Sequence, residues 1–165
     1  MVEFDESGMS FAFEEDNIFY IEKSALYRKL NGKGVACVEC IVLQNDKICF
    51  LEAKKSIPIS RNDEIDIFWS QIRKKNIDSV LLLNRCIIEN DIDEIGNSLK
   101  DVFCGKHSTI FVLVINGINI DMCQAFSAIF KKWIKDLQAI YGAEVVVLNE
   151  ELAKKSGMIK SVINS

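Results

Sequence analysis

Residues 35–55 read VACVECIVLQNDKICFLEAKK. Val35 to Leu43 is rich in β-branched and apolar residues, Ile48 to Ala53 repeats that character, and Gln44-Asn45-Asp46-Lys47 between them is short and polar. Two such runs around a short polar link predict a β-hairpin. Asn-Asp is a weaker turn dipeptide than Asn-Gly, so the turn type stays open. With the turn centred on Asn45-Asp46, Gln44 faces Lys47, Glu39 faces Glu52 and Cys37 faces Lys54. Two like charges directly opposed destabilise a sheet. A lone carboxylate on a buried strand is costly unless it is paired or holds a metal. A divalent cation between Glu39 and Glu52 would reverse that sign. Lys54 lies two positions after Glu52 and so shares its face. The same residues also suit the solvated face of an antiparallel pair, with Lys54 neutralising one acid, and a one-residue slip would send Glu39 to the other side. Both readings stay open at this point.

Outward from the hairpin, the spacing Ile18, Ile21, Ala25, Leu26, Leu30 predicts a helix over 17–30, stopped by Asn31-Gly32-Lys33-Gly34. On the other side, Ser60 with Asp63 resembles an N-cap, and Ile65, Phe68, Trp69, Ile72, Val80, Leu83 and Ile87 give a helical pattern, as one long helix or two with a break near Asn76. Thr109 to Ile115 and Val145 to Leu148 read as buried strands. Met122, Phe126, Ile129, Phe130, Trp133, Leu137 and Ile140 trace one amphipathic helix ending at Gly142, and Glu150 to Lys155 a short one. Residues 1–16, acidic and carrying Gly8 and Ser10, read as a mobile or edge segment of a single domain spanning 1–165. A hairpin combined with alternating strands and helices predicts an α/β (α+β-like) fold, a mixed central sheet flanked by helices, with the two lone apolar strands at its centre.

Composition narrows the function classes. At 49% hydrophobic and 27% charged residues the chain is not intrinsically disordered, and 165 residues can bury a core without disulfides. No apolar run is long enough to span a membrane, and the acidic N-terminus lacks a secretory pattern, which together predict a cytoplasmic protein with no membrane partner. Its six cysteines then read as reduced thiols, with Cys49, Cys86 and Cys123 as small buried hydrophobes. A net charge of −4 argues against a uniformly basic nucleic-acid surface, while Arg73-Lys74-Lys75 and Lys131-Lys132 leave room for a local groove. Cys37 and Cys40 form a CxxC, but three positions apart on a strand they face opposite ways and cannot share one ion. His107 is the only histidine; a Cys104–His107 nucleophile pair is less natural than a surface histidine. No glycine-rich phosphate loop is present. Trp69 and Trp133 fall on apolar helix faces and read as core rather than base-stacking platforms.

Leu51-Glu52-Ala53-Lys54 resembles the (D/E)xK element of the PD-(D/E)xK nuclease superfamily, with Glu39 at the place of the acid on the preceding strand and Glu22 matching the glutamate often found on the first core helix. The resemblance covers roughly residues 17–90. A glutamate stands where an aspartate is usual, its customary proline neighbour is absent, and the fold would need one further early strand, for which Phe11 to Phe13 is the candidate. The resemblance implies a restriction-endonuclease-like core and a metal-dependent nuclease hydrolysing phosphodiester bonds of DNA or RNA. Glu39, Glu52 and the Ala53 carbonyl would hold Mg²⁺ or Mn²⁺ through oxygen ligands. Lys54 would orient the attacking water or neutralise charge, and Glu22 would ligate through water or tune the site. Gln71, Arg73, Lys74 and Lys75 would contact phosphates, although such helical runs are commonly plain solvated faces. The alternatives are a catalytically inactive nuclease-fold protein that binds nucleic acid or a protein partner, and an α/β interaction domain with incidental carboxylates. Exposed apolar helix faces would suit a homodimer.

Overall fold

In a computed structural model, which describes residues 1–58, 61–89, 92–103, 105 and 107–162, the sequence-read hairpin lies inside a five-stranded sheet. The chain opens with strands β1 (Val2–Glu6) and β2 (Met9–Phe13), then the two-residue β3 (Ile18–Phe19), the short helix α1 (Ala25–Lys29) and the hairpin β4 (Cys40–Gln44) and β5 (Lys47–Lys54). Helices α2 (Asn62–Ile88) and α3 (Asn97–Phe103), strand β6 (Ser108–Ile115), helices α4 (Ile120–Trp133) and α5 (Lys135–Tyr141), strand β7 (Glu144–Asn149), helix α6 (Glu150–Lys155) and strand β8 (Ile159–Val162) follow.

The larger sheet has the order β3-β4-β5-β6-β7, antiparallel from β3 to β5 and parallel from β5 to β7, so it is mixed as expected. A smaller antiparallel sheet has the order β1-β2-β8. Strand alternation divides the core in two. Ile48, Phe50, Phe111, Leu113 and Val145 pack with Trp69 and Ile72 of α2 and Phe130 of α4. Their neighbours Cys49, Leu51, Ala53, Val112 and Val114 pack with Met9, Phe11 and Ile159 of the smaller sheet and Ala153 of α6. Strands β5 and β6 are therefore covered on both faces, which explains their unbroken apolar character.

Several expectations are corrected. Residues 17–30 do not form one helix. Ile18 packs into one core and Phe19 into the other, as successive residues of a strand do; they form β3, and a single 3₁₀ turn follows at Ile21–Lys23. Only α1 is α-helical, begun by Ser24 Oγ accepting from the Tyr27 N–H at 3.1 Å. Within residues 1–16, β1 is an edge strand of the smaller sheet, whereas Met9 and Phe11 of β2 have no exposed surface. The strand that flanks the hairpin in the larger sheet is β3, whereas Phe11 to Phe13 belongs to the smaller sheet. Strand β7 lies at the sheet edge rather than its centre. The helix from Met122 to Ile140 is broken at the buried Ile134, whose φ −115° and ψ 28° leave the helical range. Helix α2 runs unbroken through Asn76; the Ser60 cap lies outside the described residues, and the N-cap position is Arg61. Helix α3 and strand β8 had no clear signal in the sequence.

Candidate functional site

Asn45 and Asp46 both take positive φ, 49° and 59°, as the two central residues of a type I′ hairpin turn do. That turn matches the twist of the strands and holds the register Gln44↔Lys47 through Cys40↔Leu51. The ladder ends there, one residue short of the anticipated Glu39–Glu52 pair, and Glu39 lies in a bend just before β4, near enough to Glu52 for one lysine to reach both. Ile41 and Phe50, two positions from each, pack beneath α2, and the two carboxylates point the same way. Glu39 is 4% exposed and Glu52 0%, so they are not solvated groups on an open face. Upstream of Cys40 the chain has left the ladder: the Val38 N–H donates to Ser79 Oγ and the Ala36 N–H to Asp78 Oδ2, both at 2.9 Å, on α2. The anticipated Cys37–Lys54 pairing is not made, because α2 supplies the acceptors this stretch needs.

Ile72, Lys75 and Ser79 recur at helical spacing on the inner face of α2. Lys75 is thereby carried onto the acids. Its Nζ lies 2.8 Å from Glu52 Oε1 and 3.4 Å from Glu39 Oε1, and Lys54 Nζ lies 2.6 Å from the same Glu52 oxygen. The contacts on Oε1 are ion pairs rather than aligned hydrogen bonds, and Glu52 Oε2 is buried with no hydrogen-bond partner among the described residues. Burial, then the neighbouring Glu52 charge, pushes the Glu39 carboxyl up to about 8 against the pull of Lys75. Burial works against the Lys75 charge, but Glu52 and Glu39 outweigh it and hold the ammonium above the ordinary lysine range. Two lysines thus face the two acids in a place where an unpaired charge would cost several kcal/mol, roughly 3–5 when one partner of a buried pair is removed.

Glu22 sits on the 3₁₀ turn, half-buried, and its charge acts on Glu39 and on Tyr20. Two further residues at this end of the sheet went unread in the sequence. Glu6, at the close of β1, also bears on Glu39, and the Tyr20 hydroxyl is pushed up to about 12 by burial, then by Glu22 and Glu39. Neither lies in a pattern that singles it out. The Ala53 side chain faces the opposite core. Of the four helix residues expected at phosphates, only Lys75 reaches the acids: Arg73 pairs with Asp136, Lys74 with Asp78 at 2.5 Å, and Gln71 is exposed. Cys37 and Cys40 are buried in opposite cores, as their spacing requires. His107 is half-buried against the edge of Phe103, and Cys104 lies outside the described residues.

Among the described residues no three acid, cysteine or histidine side chains are placed to share one metal ion. Glu39 and Glu52 still fit a hard cation in their chemistry: the donors are oxygens only, and one buried carboxylate oxygen has no partner. Compared with known proteins, the chain matches no family model, no curated protein and no solved structure.

Proposed function

We propose that this chain is a metal-dependent nuclease-like protein that hydrolyses phosphodiester bonds of DNA or RNA on a restriction-endonuclease-like core. The observation that carries the reading is the buried pair Glu39 and Glu52 on one hairpin face, followed at once by Lys54. The strand order supports it: β3 supplies the early strand that the resemblance required, and the acid-bearing hairpin occupies the middle of the sheet.

In this reading Glu39 and Glu52, with the Ala53 carbonyl, hold Mg²⁺ or Mn²⁺, which when bound supplies an activated water and polarises the phosphate. Glu39 must give up its proton to serve as a ligand. Lys54, at 30% side-chain exposure, reaches from Glu52 toward the opening and stabilises charge that develops on the phosphate oxygens. Glu22 and Glu6 raise the negative field around the pair and favour a divalent ion. Gln71 and the basic residues of α2 border the substrate path. A cytoplasmic setting belongs to the same reading, and Ile67, Leu81 and Ile88, exposed along α2, support a homodimer.

One observation favours a second reading, an inactive nuclease-fold protein that binds nucleic acid or a protein partner: the Lys75 ammonium already spans the two carboxylates. Calorimetric titration with Mn²⁺ separates the two. Wild type is expected to bind, and Glu39→Ala and Glu52→Ala to lose binding. Lys54→Ala is expected to keep it and to lower cleavage on the order of 100-fold. No heat of binding in the folded wild type would exclude the hydrolase.

A further inference from the structure

We propose that Lys75 is the chain's own stand-in for the divalent ion, its ammonium joining Glu39 and Glu52 in the metal-free protein and swinging out when an ion takes that place. The inference rests on the metal-binding reading and adds a competitor within the site.

Four observations carry it. First, Lys75 is the cation that meets both acids, whereas Lys54 meets Glu52. Second, its contacts are unequal, 2.8 Å to Glu52 and 3.4 Å to Glu39, and they leave Glu52 Oε2 buried without a partner. One ammonium has too few donors to satisfy two carboxylates, while an ion taking six or more oxygens has capacity for both. Third, the Lys75 side chain is 25% exposed, so it has a route to solvent while its acids do not. A lysine suits the task better than an arginine: its charge is compact and sits on a flexible four-carbon stem. Fourth, α2 need not move for the exchange. Arg73 is tied to Asp136, Lys74 to Asp78, and the Asp78 and Ser79 side chains hold the backbone of Ala36 and Val38.

The consequence is arithmetic. Metal entry must break two ion pairs, so the apparent affinity of the wild type is the intrinsic affinity multiplied by the fraction of molecules in which Lys75 has already left. The freed ammonium then stands at the rim of the site as a phosphate contact, which joins the two roles the residue could have. In this exchange the metal ion enters, the Lys75 ammonium swings out with its protons kept, and the Glu39 carboxyl releases its proton to solvent.

The test measures Mn²⁺ affinity of wild type and Lys75→Met by calorimetry, methionine keeping the apolar stem without the charge. Lys75→Met is expected to bind at least tenfold tighter. Binding equal to or weaker than a wild type that does bind would overturn the stand-in and leave the metal site intact. Absence of binding in both proteins would overturn the two together. Should Lys75→Met fail to fold, amine acylation of wild type decides. Lys75 is expected to react at least fivefold faster in saturating Mn²⁺ than in chelator, relative to the exposed Lys131. An unchanged or slower rate overturns the proposal.

Discussion

Glu39 concentrates the chemistry of the site in one proton. Its carboxyl is pushed up to about 8 from an ordinary 4.5, chiefly by burial and then by Glu52, with Glu6 and Glu22 adding to the effect and Lys75 opposing it. Between those two values the folded chain holds a proton that the unfolded chain has released. As far as Glu39 is concerned, stability is greatest below about pH 4.5, falls as pH rises toward about 8 and is level beyond, with a slope of at most about 1.4 kcal/mol per pH unit. Glu39→Gln, unfolded by urea in chelator at about pH 5, 6.5 and 8, is expected to gain on the wild type across that series. Parallel curves would show that Glu39 ionises normally. A metal must displace the same proton, so Mn²⁺ affinity is expected to climb with pH by up to about tenfold per unit until about pH 8 and to be level above it. The same value of Kd at all three pH settings would place the metal elsewhere. Glu39, Glu52 and Lys54 were legible because strand alternation and a two-residue turn determine their relation over a span of sixteen residues, 39 to 54. Lys75 was legible only as one of a basic run. Its separation from Arg73 and Lys74 depends on which side of α2 meets the sheet, a matter of packing between distant segments.

At the scale of elements, α2 acts as a clamp on the segment before β4 that carries Glu39. Where β4 stops, its upstream backbone donors turn to Asp78 and Ser79 instead of to another strand. Ser79 is wholly buried, so Ser79→Ala would leave the Val38 N–H without an acceptor and is expected to cost about 1–3 kcal/mol in urea unfolding. It is also expected to weaken Mn²⁺ binding, since Glu39 is the next residue along. Unchanged stability would mean that the Val38 N–H has another acceptor. Gly96 locks a second element in place: its N–H donates to the Ile18 carbonyl at 2.9 Å, and a Cβ there would come within 2.4 Å of the Asp16 carbonyl. Gly96→Ala must push backbone rather than a flexible side chain, and a loss of about 1–3 kcal/mol is expected by thermal or urea unfolding. A neutral substitution would argue against the close approach of this loop to β3. Elements with their own periodicity, β5, β6, α2 and α4, could be read from the sequence. Strand β3 could not, because two residues carry no period, and its pairing with β4 is what makes it a strand. The break at Ile134 was hidden for a related reason. The apolar stripe continues across it, and Ile134 is itself an apolar, buried residue with nothing in its type to mark the break.

Across the whole molecule, the two ends of the described chain meet in one small sheet that caps the face opposite α2. Strand β8 pairs with β2, and Met9, Phe11 and Ile159 close over Leu51, Ala53 and Val114. The cap also reaches the site end. Ser7, in the turn between β1 and β2, accepts from Asn116 Nδ2 at 3.2 Å, and the Asn116 N–H donates to the Lys54 carbonyl at 2.9 Å. An acidic opening segment with a glycine suggests looseness when read alone, because the apolar residues it covers lie some forty positions away or more, and β8 lies at the far end of the chain. Phe11 separates the two pictures cleanly. It has no exposed surface and stacks with Phe4 at a ring separation of 5.2 Å. If residues 1–16 were mobile, Phe11→Ala would be nearly silent. With the sheet capping the core, it leaves a cavity against Leu51 and Ala53 and is expected to cost about 3–5 kcal/mol in urea unfolding, with an unchanged dependence on denaturant. Under the proposed function, Phe11→Ala kept folded without denaturant is expected to bind Mn²⁺ with the wild-type stoichiometry, because Glu39 and Glu52 lie on the hairpin segment and β5 rather than on the cap. A silent Phe11→Ala would detach the smaller sheet from the core, and lost Mn²⁺ binding in the folded variant would make the cap part of the site.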